Sequence, residues 1–306
     1  MASTLVECVP NFSEGRDLAK VDAIVEAIAS AGASILHRTS DPDHNRSVVT
    51  FVAQAETVGE AALRGVRKAV ELIDLRIHTG VHPRIGAADV VPFVPLRGIS
   101  MEECAALATE VGGRIWKELR VPVYLYEASA RRPQCVSLPD VRRGQFEGLQ
   151  AEARTNPERC PDFGGPELHP SAGASVVGAR KLLVAFNALL DTTDLQIAQE
   201  IARAVRGSTG GLASLRAIGV YLASRGQAQV SMNLTDFERT GMHVALEAVR
   251  TEASKRGASV TSTELIGLAP AKALEAAAAA YLRIEGFELG RVLENRLEDY
   301  GPTGRR

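Results

Sequence analysis

The sequence predicts an α/β (α+β) protein made of two similar subdomains, and three observations lead to this prediction. Along the 306 residues, the apolar positions switch repeatedly between the two-residue period of strands and the 3.6-residue period of helices. The two halves share one rhythm of strand, short loop and long helix, followed by another strand and helix. A hydrophobic content of 45% is enough for sizeable cores. We therefore expect each subdomain to be a mixed β-sheet with helices on its outer face.

In the first half, the predicted strands are LVECVP, SILHRTS, SVVTFVA, ADVVPFVPL and VPVYLYEAS. The predicted helices are DLAKVDAIVEAIASAG, ETVGEAALRGVRKAVELI and SMEECAALATEVGGRIWKEL. Asp17 is a plausible N-cap of the first helix and Gly32 its end, and Ser100 with Glu103 forms a capping box for the third. The two prolines of ADVVPFVPL indicate an edge strand or an irregular one.

A boundary near residue 178 separates the two subdomains, which we predict at 1–178 and 179–300. Residues 127–178 are rich in Pro, Gly, Arg and Asp, with a short helical patch in PDVRRGQFEGLQAEA, so they form a linker or a functional loop. Beyond them, the predicted strands are ARKLLVAFNALL, SLRAIGVYLA, QAQVSMNLT and SVTSTELIG. The helices are DLQIAQEIARAVRG, FERTGMHVALEAVRTEASKRG and PAKALEAAAAAYL, and the tail is a short helix followed by disorder.

Composition excludes several classes of protein. A net charge of −2 and an aromatic content of 5% argue against nucleic acid as a partner. Apolar runs are too short for a membrane span and the N-terminus does not have the pattern of a secretory signal. The four cysteines are scattered, which favours reduced thiols in a cytoplasmic protein over disulfides or a zinc cluster. The phosphate-binding patterns GxGxxG and GxxxxGK[ST] do not occur.

The stretch RIHTGVHPRIG carries two of the six histidines, His78 and His82. Their i, i+4 spacing would suit a metal on a helix, but the glycine between them and the proline after them disfavour a helix, so we expect no metal. For His78, the simpler interpretation is a polar group near the end of the preceding helix. His82 sits in a loop shaped by glycine and proline and is a candidate general base, with Arg84 beside it to hold a carboxylate.

Three further polar stretches are candidates for ligand binding. CVPNFSEGRD places Asn11, Ser13 and Glu14 after the first strand, where a ligand often sits. SDPDHNRSV gathers Asp41, Asp43, His44, Asn45 and Arg46 in one turn, which is either a site or an Asx-type turn with solvated charges. PDFGGPELHPSAGASVVGARK is a linker, or a loop whose bare backbone approaches a flat ligand.

Six segments together resemble the glutamate formimidoyltransferase family: LVECVPNFSEGRD, DPDHNRSVVTFV, HTGVHPRIGAADVVPFVPLRG, VPVYLYEASAR, PDFGGPELHPSAGASVVGARKLLVAFNALL and AQVSMNLTDFE. The resemblance implies transfer of the formimino group from N-formimino-L-glutamate to the 5-position nitrogen of tetrahydrofolate, with release of L-glutamate, in histidine breakdown. It implies two α/β subdomains whose sheets face each other, a homodimer, and tetrahydrofolate as co-substrate. Some relatives carry a fused cyclodeaminase, and this chain looks like the stand-alone transferase.

The resemblance also implies the site residues. The catalytic histidine matches His82. Proton transfer by this histidine also needs a carboxylate or a carbonyl to orient its other ring nitrogen, and Asp41 and Glu7 are candidates for that role. The folate-contacting loop matches Gly164, Gly165, Pro166, Glu167, Leu168, His169, Pro170, Ser171, Ala172 and Gly173. Ala172 stands where animal enzymes have an aromatic residue, and His169 also departs from the expected pattern.

We also expect Asn11, Asn45, Arg46 and Arg84 to contact substrate. The acidic substrates would need a locally basic path, which some of the cations near these loops would supply while most of them are solvated surface: Arg46, Arg84, Arg131, Arg132, Arg142, Arg143, Arg180 and Lys181. Two other functions stay open at this point. A 5-formyltetrahydrofolate cyclo-ligase would use a similar pocket but would need ATP, and a non-catalytic folate-binding protein would not need the histidine.

Overall fold

Two compact units make up residues 4–298, the part of the chain that the structure, a computed structural model, describes. The division falls after Lys181, and the hairpin tip Leu222–Arg225 belongs to the first unit. The side chains of residues 296–298 are not described. The disorder predicted for the tail concerns residues 299–306, which lie outside the described part.

A seven-stranded sheet forms the centre of the first unit. Its strands are β1 (Leu5–Cys8), β2 (Asn11–Phe12), β3 (Ser34–Asp41), β4 (Arg46–Ala53), β5 (Ala88–Arg97), β6 (Val123–Leu125) and β7 (Ser175–Ala179). Their order across the sheet is β3, β4, β1 and β2, β5, β7, β6. Strands β1 and β2 lie end to end in the same position, between β4 and β5. Pairs from β3 to β5 are antiparallel, whereas β7 runs parallel to β5 and to β6. The sheet is therefore mixed, as predicted.

Strand β5 lies in the centre of the sheet and not at its edge. Its two prolines therefore mark an irregular strand, which was the second of the two possibilities. Pro92 lies where β1 has ended and β2 has not begun, and its carbonyl accepts from Val9 N at 3.2 Å. Pro95 lies opposite Val6, beside a shift in register between Leu5 and Val6. Each proline is thus placed at an irregularity of the ladder, where a missing N–H costs least.

Three amphipathic helices contribute apolar faces to the core of the first unit: α1 (Leu18–Ala29), α2 (Ala55–Leu72) and α3 (Met101–Leu119). Asp17 caps α1, since its carboxylate accepts from Ala19 N at 3.1 Å. The capping box of α3 is also present: Ser100 Oγ accepts from Glu103 N, and the Glu103 carboxylate accepts from Ser100 N. These caps satisfy amide groups that a helix start leaves without partners.

The irregular segment 127–174 folds onto the first unit. It contains two short helices, α4 (Leu138–Val141) and α5 (Gln145–Thr155). Tyr124 Oη on β6 donates to Arg159 O at 2.6 Å, and Phe163 N and O both pair with Val123. The segment is therefore a structured part of this unit.

The second unit has a four-stranded sheet in the order β11, β8, β10, β9. Its elements are β8 (Val184–Leu190), α6 (Leu195–Val205), β9 (Leu215–Leu222), β10 (Gln227–Leu234), α7 (Met242–Ser254), β11 (Val260–Ile266), α8 (Ala271–Leu282) and α9 (Leu293–Glu298). Strand β8 pairs antiparallel with both β10 and β11. A mixed sheet was predicted for each subdomain, and the mixed sheet is found in the first unit. The strand predicted from Ala179 to Leu190 is divided, because Ala179 ends β7 and β8 begins at Val184.

Candidate functional site

The loop between α2 and β5 presents His82 in one defined protonation pattern. Its Nδ1 lies 2.7 Å from the carbonyl oxygen of Pro83. A carbonyl oxygen only accepts hydrogen bonds, so Nδ1 carries the proton and Nε2 is left with its lone pair. The neutral imidazole therefore offers a base at Nε2.

Burial and positive neighbours keep this imidazole neutral. Burial lowers the pKa of His82 well below its usual value of 6.5, and the charges of Arg46, Arg142 and His44 lower it further. The His44 ring lies close by, with 5.7 Å between the two ring centroids. His82 is consequently unprotonated at neutral pH, the form in which a histidine can accept a proton.

A fully buried carboxylate, Asp89, connects this neighbourhood. Its Oδ2 accepts from Arg46 Nη1 at 2.8 Å and from Arg142 Nη2 at 2.5 Å, and its Oδ1 accepts from Ile85 N at 2.8 Å. The two guanidinium charges lower the pKa of Asp89 against the opposing effect of burial. Asp89 is thus ionised, and it joins strand β4, the start of β5 and the segment around α4.

Two of the predicted substrate-binding residues, Asn11 and Arg46, are in direct contact. Asn11 Oδ1 accepts from Arg46 Nε at 3.1 Å and from Nη2 at 2.8 Å. Asn11 Nδ2 in turn donates to Val9 O at 2.8 Å, which fixes the orientation of its amide. All three nitrogens of the Arg46 side chain therefore have protein partners.

Asn45 ties together three loops around His82. Its Oδ1 accepts from Gly15 N at 2.9 Å and its Nδ2 donates to Thr79 O at 3.0 Å. Its φ of +46° is one that asparagine tolerates better than most residues. A Cβ on Gly80 would lie 2.3 Å from His44 O, so the histidine loop can approach this turn only with glycine there. Asn45 is therefore a structural residue whose side chain holds neighbouring loops together.

Of the two kinds of group expected to orient His82, a carboxylate or a carbonyl, the structure shows a carbonyl and neither Asp41 nor Glu7. The Nδ1 of His82 is bonded to Pro83 O, while Asp41 Oδ1 accepts from His44 N at 2.8 Å. Glu7 lies on β1, where burial raises its pKa and the charge of Arg180 opposes that rise. Asp41 therefore shapes the turn that carries His44, and a backbone carbonyl orients His82.

Arg84 and His78 also differ from the expectation. The guanidinium of Arg84, expected to hold a substrate carboxylate, forms a two-point ion pair with Glu147, with contacts of 2.7 and 2.9 Å. Arg84 Nε donates to His78 Nδ1 at 3.3 Å, and His78 Nε2 donates to Asn45 O at 2.9 Å. His78 is thus a neutral link between loops and lies six residues beyond the end of α2.

The predicted folate loop, residues 164–173, is bonded to both ends of the histidine loop. Leu75 N donates to Ser171 O at 2.8 Å, and Ala87 N donates to Ala172 O at 2.9 Å. Gly173 faces Gly86 in a β-bridge, and a Cβ on Gly173 would lie 2.1 Å from Ile85 O. Two loops that are about 90 positions apart in the sequence are therefore hydrogen-bonded to each other.

Within this loop, His169 stabilises a tight turn. Its backbone N and O pair with Gly173, and its Nδ1 accepts from Ala172 N at 3.0 Å. Ala172 and Leu168 are buried, whereas Gly165, Glu167 and Pro170 are exposed. His169 is consequently a structural residue of the turn, and Ala172 faces the protein interior.

Glycine is required at the start of the loop. Gly164 and Gly165 have φ of +84° and +83°, where a side chain is strained. A Cβ on Gly164 would lie 2.6 Å from the Trp116 ring, and one on Gly165 would lie 2.5 Å from Pro161 Cδ. Pro166 follows them in a cis peptide bond. The start of the loop therefore packs against Trp116 and Pro161 and leaves no room for a side chain at either glycine.

Sequence reasoning missed Asp89 and Arg159, and it did not single out Arg142 among eight cations. One signal was present: Asp89 is a lone charge at the start of the apolar run VVPFV, and a buried charge needs a partner. Arg159 Nη1 donates to Asp140 O at 2.9 Å and its Nη2 donates to Arg143 O at 2.6 Å. Arg159 therefore holds the turn from which Arg142 projects.

The described residues 4–298 contain no group of three or more His, Cys, Asp or Glu side chains that could hold a metal ion. Nor does this part of the chain include a helix long and apolar enough to cross a membrane.

Two family matches cover nearly all of the chain. The formiminotransferase domain, N-terminal subdomain, matches residues 5–180, and the formiminotransferase domain matches residues 185–295. The chain belongs to the formiminotransferase family. The resemblance that the motifs predicted is therefore confirmed, together with the two-subdomain α/β architecture.

Curated relatives agree with this family. The chain is 46% identical to the glutamate formimidoyltransferase of Streptococcus pyogenes, over 96% of this chain and 98% of that protein. It is 44% identical to the glutamate formimidoyltransferase of Thermoplasma acidophilum, with the same coverage. It is also 47% identical to the formimidoyltransferase-cyclodeaminase of Rattus norvegicus, of which it spans about half, 52%.

Proposed function

We propose that this formiminotransferase moves the formimino group of N-formimino-L-glutamate to the 5-position nitrogen of tetrahydrofolate and releases L-glutamate. One observation carries the site assignment: the loop at 164–173 is bonded to both ends of the loop that presents His82 Nε2. A folate lying on that loop would have its reacting nitrogen near a neutral imidazole. Family membership and the two glutamate formimidoyltransferases at 44–46% identity support the reaction.

The chemistry needs one group that accepts a proton and then returns it. The folate nitrogen attacks the amidine carbon, and His82 Nε2 takes the proton that this nitrogen loses. The tetrahedral intermediate then collapses by breaking the bond between that carbon and the glutamate nitrogen, which receives the proton from His82. The formimino group ends on folate, glutamate leaves with its amino group, and the imidazole is neutral again.

His82 is suited to this task by its surroundings. The Pro83 carbonyl fixes Nδ1 as the donor, so the same nitrogen, Nε2, is used in both proton transfers. The nearby guanidinium groups make the protonated ring short-lived, which favours its return of the proton. Such proton shuttling contributes about 10²–10⁴-fold to the rate.

We further propose that the protein is a cytoplasmic homodimer acting in histidine degradation, and that it needs no metal. The four cysteines are free, which suits a reducing compartment. The resemblance of the motifs supports the dimer and the pathway. Light scattering of the purified protein tests the dimer, since a monomeric mass at micromolar concentration would contradict it.

The function is tested by a direct assay of purified protein with tetrahydrofolate and formiminoglutamate. We expect glutamate release that requires both substrates. A second arm supplies 5-formyltetrahydrofolate and ATP, and ATP consumption there would favour the cyclo-ligase. Folate binding without either reaction would favour a binding protein.

A further inference from the structure

The cluster of Arg46, Asp89 and Arg142 contains one more positive charge than negative charge. Asp89 is fully buried, and the side chains of Arg46 and Arg142 are only 9% and 11% exposed. Both guanidinium groups share one carboxylate oxygen, Oδ2. A net charge of this kind is costly in a protein interior unless another anion accompanies it. The cluster is therefore suited to receive a ligand carboxylate.

Within the cluster, Arg142 is the residue with hydrogen bonds left to donate. Arg46 uses Nε and Nη2 on Asn11 and Nη1 on Asp89. Arg142 uses only Nη2, on Asp89, and its Nε is buried without a hydrogen-bond partner among the described residues. Arg84 is less suited, because Glu147 occupies its guanidinium at two points.

The position of Arg142 is fixed from behind by Arg159. Arg159 is 6% exposed, and its guanidinium binds the carbonyl groups of Asp140, Val141 and Arg143, on both sides of Arg142. The backbone that carries Arg142 is thus held in place before any ligand arrives. A preorganised arginine loses less entropy when it binds a carboxylate.

The site is close to His82, and this proximity decides between the two acidic substrates. Asp89 Oδ1 accepts from Ile85 N, three residues after His82, and Phe146 N, four residues after Arg142, donates to Arg84 O. The charges of Arg46 and Arg142 also lower the pKa of His82, whose Nε2 must lie beside the amidine carbon. In the amino-acid donor, the α-carboxylate is attached to the carbon that bears the reacting nitrogen. In tetrahydrofolate, the carboxylates lie beyond the aminobenzoyl group, far from the reacting nitrogen.

We infer that Arg142 binds the α-carboxylate of the amino-acid donor, with Asp89 and Arg46 holding Arg142 in place, and that it sets the specificity for this donor. This inference rests on the proposed function, because it places the donor at the same histidine. Arg142 would fix the amidine carbon against His82 by a charge-assisted hydrogen bond.

The test compares formiminoglutamate with its α-carboxamide analogue in the wild type and in Arg142→Gln. We expect the wild type to use the carboxylate donor with a kcat/KM about 10- to 100-fold higher, which is the effect of one charge-assisted hydrogen bond. Arg142→Gln should lose this preference, and Arg142→Lys should restore part of it. Arg143→Gln, which changes the exposed neighbouring arginine, should keep it.

Three outcomes would overturn the inference. The first is a wild type that uses both donors equally, which needs no variant and is therefore independent of how Arg142→Gln folds. The second is an Arg142→Gln protein that keeps the preference. The third is a loss that depends on the folate, seen as a preference for tetrahydrofolate over tetrahydropteroate that vanishes in Arg142→Gln. A wild type that releases no glutamate at all would instead contradict the proposed function.

Discussion

Replacing Asp89 with Asn should destabilise the first unit by about 3–5 kcal/mol, the usual cost of removing one partner from a buried ion pair. The burial of all three charged groups explains why such a large destabilisation is expected. Asp89 is 0% exposed and compensates two guanidinium groups that are themselves almost buried. An asparagine accepts through one oxygen only, and its NH2 group would face a cation or the donor Ile85 N.

Urea unfolding followed by tryptophan fluorescence measures this effect. Trp116 is the one tryptophan of the sequence and lies on α3, so its signal reports on the first unit. Asp22→Asn is the matched control, because Asp22 is paired with Arg38 on the surface and is 55% exposed. The control should cost at most about 1 kcal/mol.

A second variant distinguishes charge from packing. In Asp89→Asn with Arg142→Gln, one of the two uncompensated cations is removed, so the double variant should recover about 0.5–3 kcal/mol relative to simple addition. If Asp89→Asn costs no more than Asp22→Asn, or if the two changes simply add, Asp89 is not the charged centre of the site.

Four further predictions concern Asn45, His82, His169 and the effect of removing metal. Asn45→Ala should cost about 1–3 kcal/mol, because it leaves the buried Gly15 N without its acceptor; Asn45→Gly, which relieves the positive φ, should cost less, and equal losses by urea unfolding would argue against backbone strain. The pKa of His82 lies below 6.5 in the folded protein, so kcat/KM should fall only as pH drops below that value, and stability should also fall there since the unfolded chain binds the proton first; an acid limb above 6.5 would contradict this. His169→Ala should raise the KM for tetrahydrofolate more than that for formiminoglutamate, because Ala172 N loses its acceptor and the turn loosens; steady-state kinetics with each substrate varied in turn decide this, and equal changes would make the loop a structural hinge. Dialysis against a strong chelator should leave activity unchanged, and activity restored by zinc would contradict that.

Much of the fold could be predicted because local signals and packing agree. The N-cap at Asp17 and the capping box at Ser100 and Glu103 depend on neighbours within three positions, and both are present. The apolar stripe of α2 was predicted from its period, and it is buried. The structure of such elements is determined mainly by residues that are close together in the sequence.

The places where the prediction differed depend on contacts between distant parts of the chain. The central position of β5 could not be read from its prolines, because it depends on where β1 ends and β2 begins. The partner of Arg84 is Glu147, 63 positions away, and nothing near either residue indicates this pairing. The carbonyl that orients His82 belongs to Pro83, and because every residue carries a carbonyl, the sequence could not indicate which one it is.

For the candidate site, the sequence indicates residue types but not the contacts between them. Asn11, Arg46 and His82 were selected from separate stretches; the structure brings Arg46 into contact with Asn11, and the charge of Arg46 lowers the pKa of His82. Asp89 shows what reasoning from sequence could have added, since a charge inside an apolar strand needs a compensating charge.

The most direct test of the central claim is the turnover of His82→Ala, measured as glutamate release with both substrates saturating. His78→Ala is the control, because His78 lies in the same loop and is bonded to Asn45 and Arg84. We expect kcat of His82→Ala to fall about 10²–10⁴-fold while the dissociation constant of tetrahydrofolate stays the same, and we expect a much milder effect of His78→Ala. Unchanged turnover in His82→Ala would show that His82 does not carry the proton.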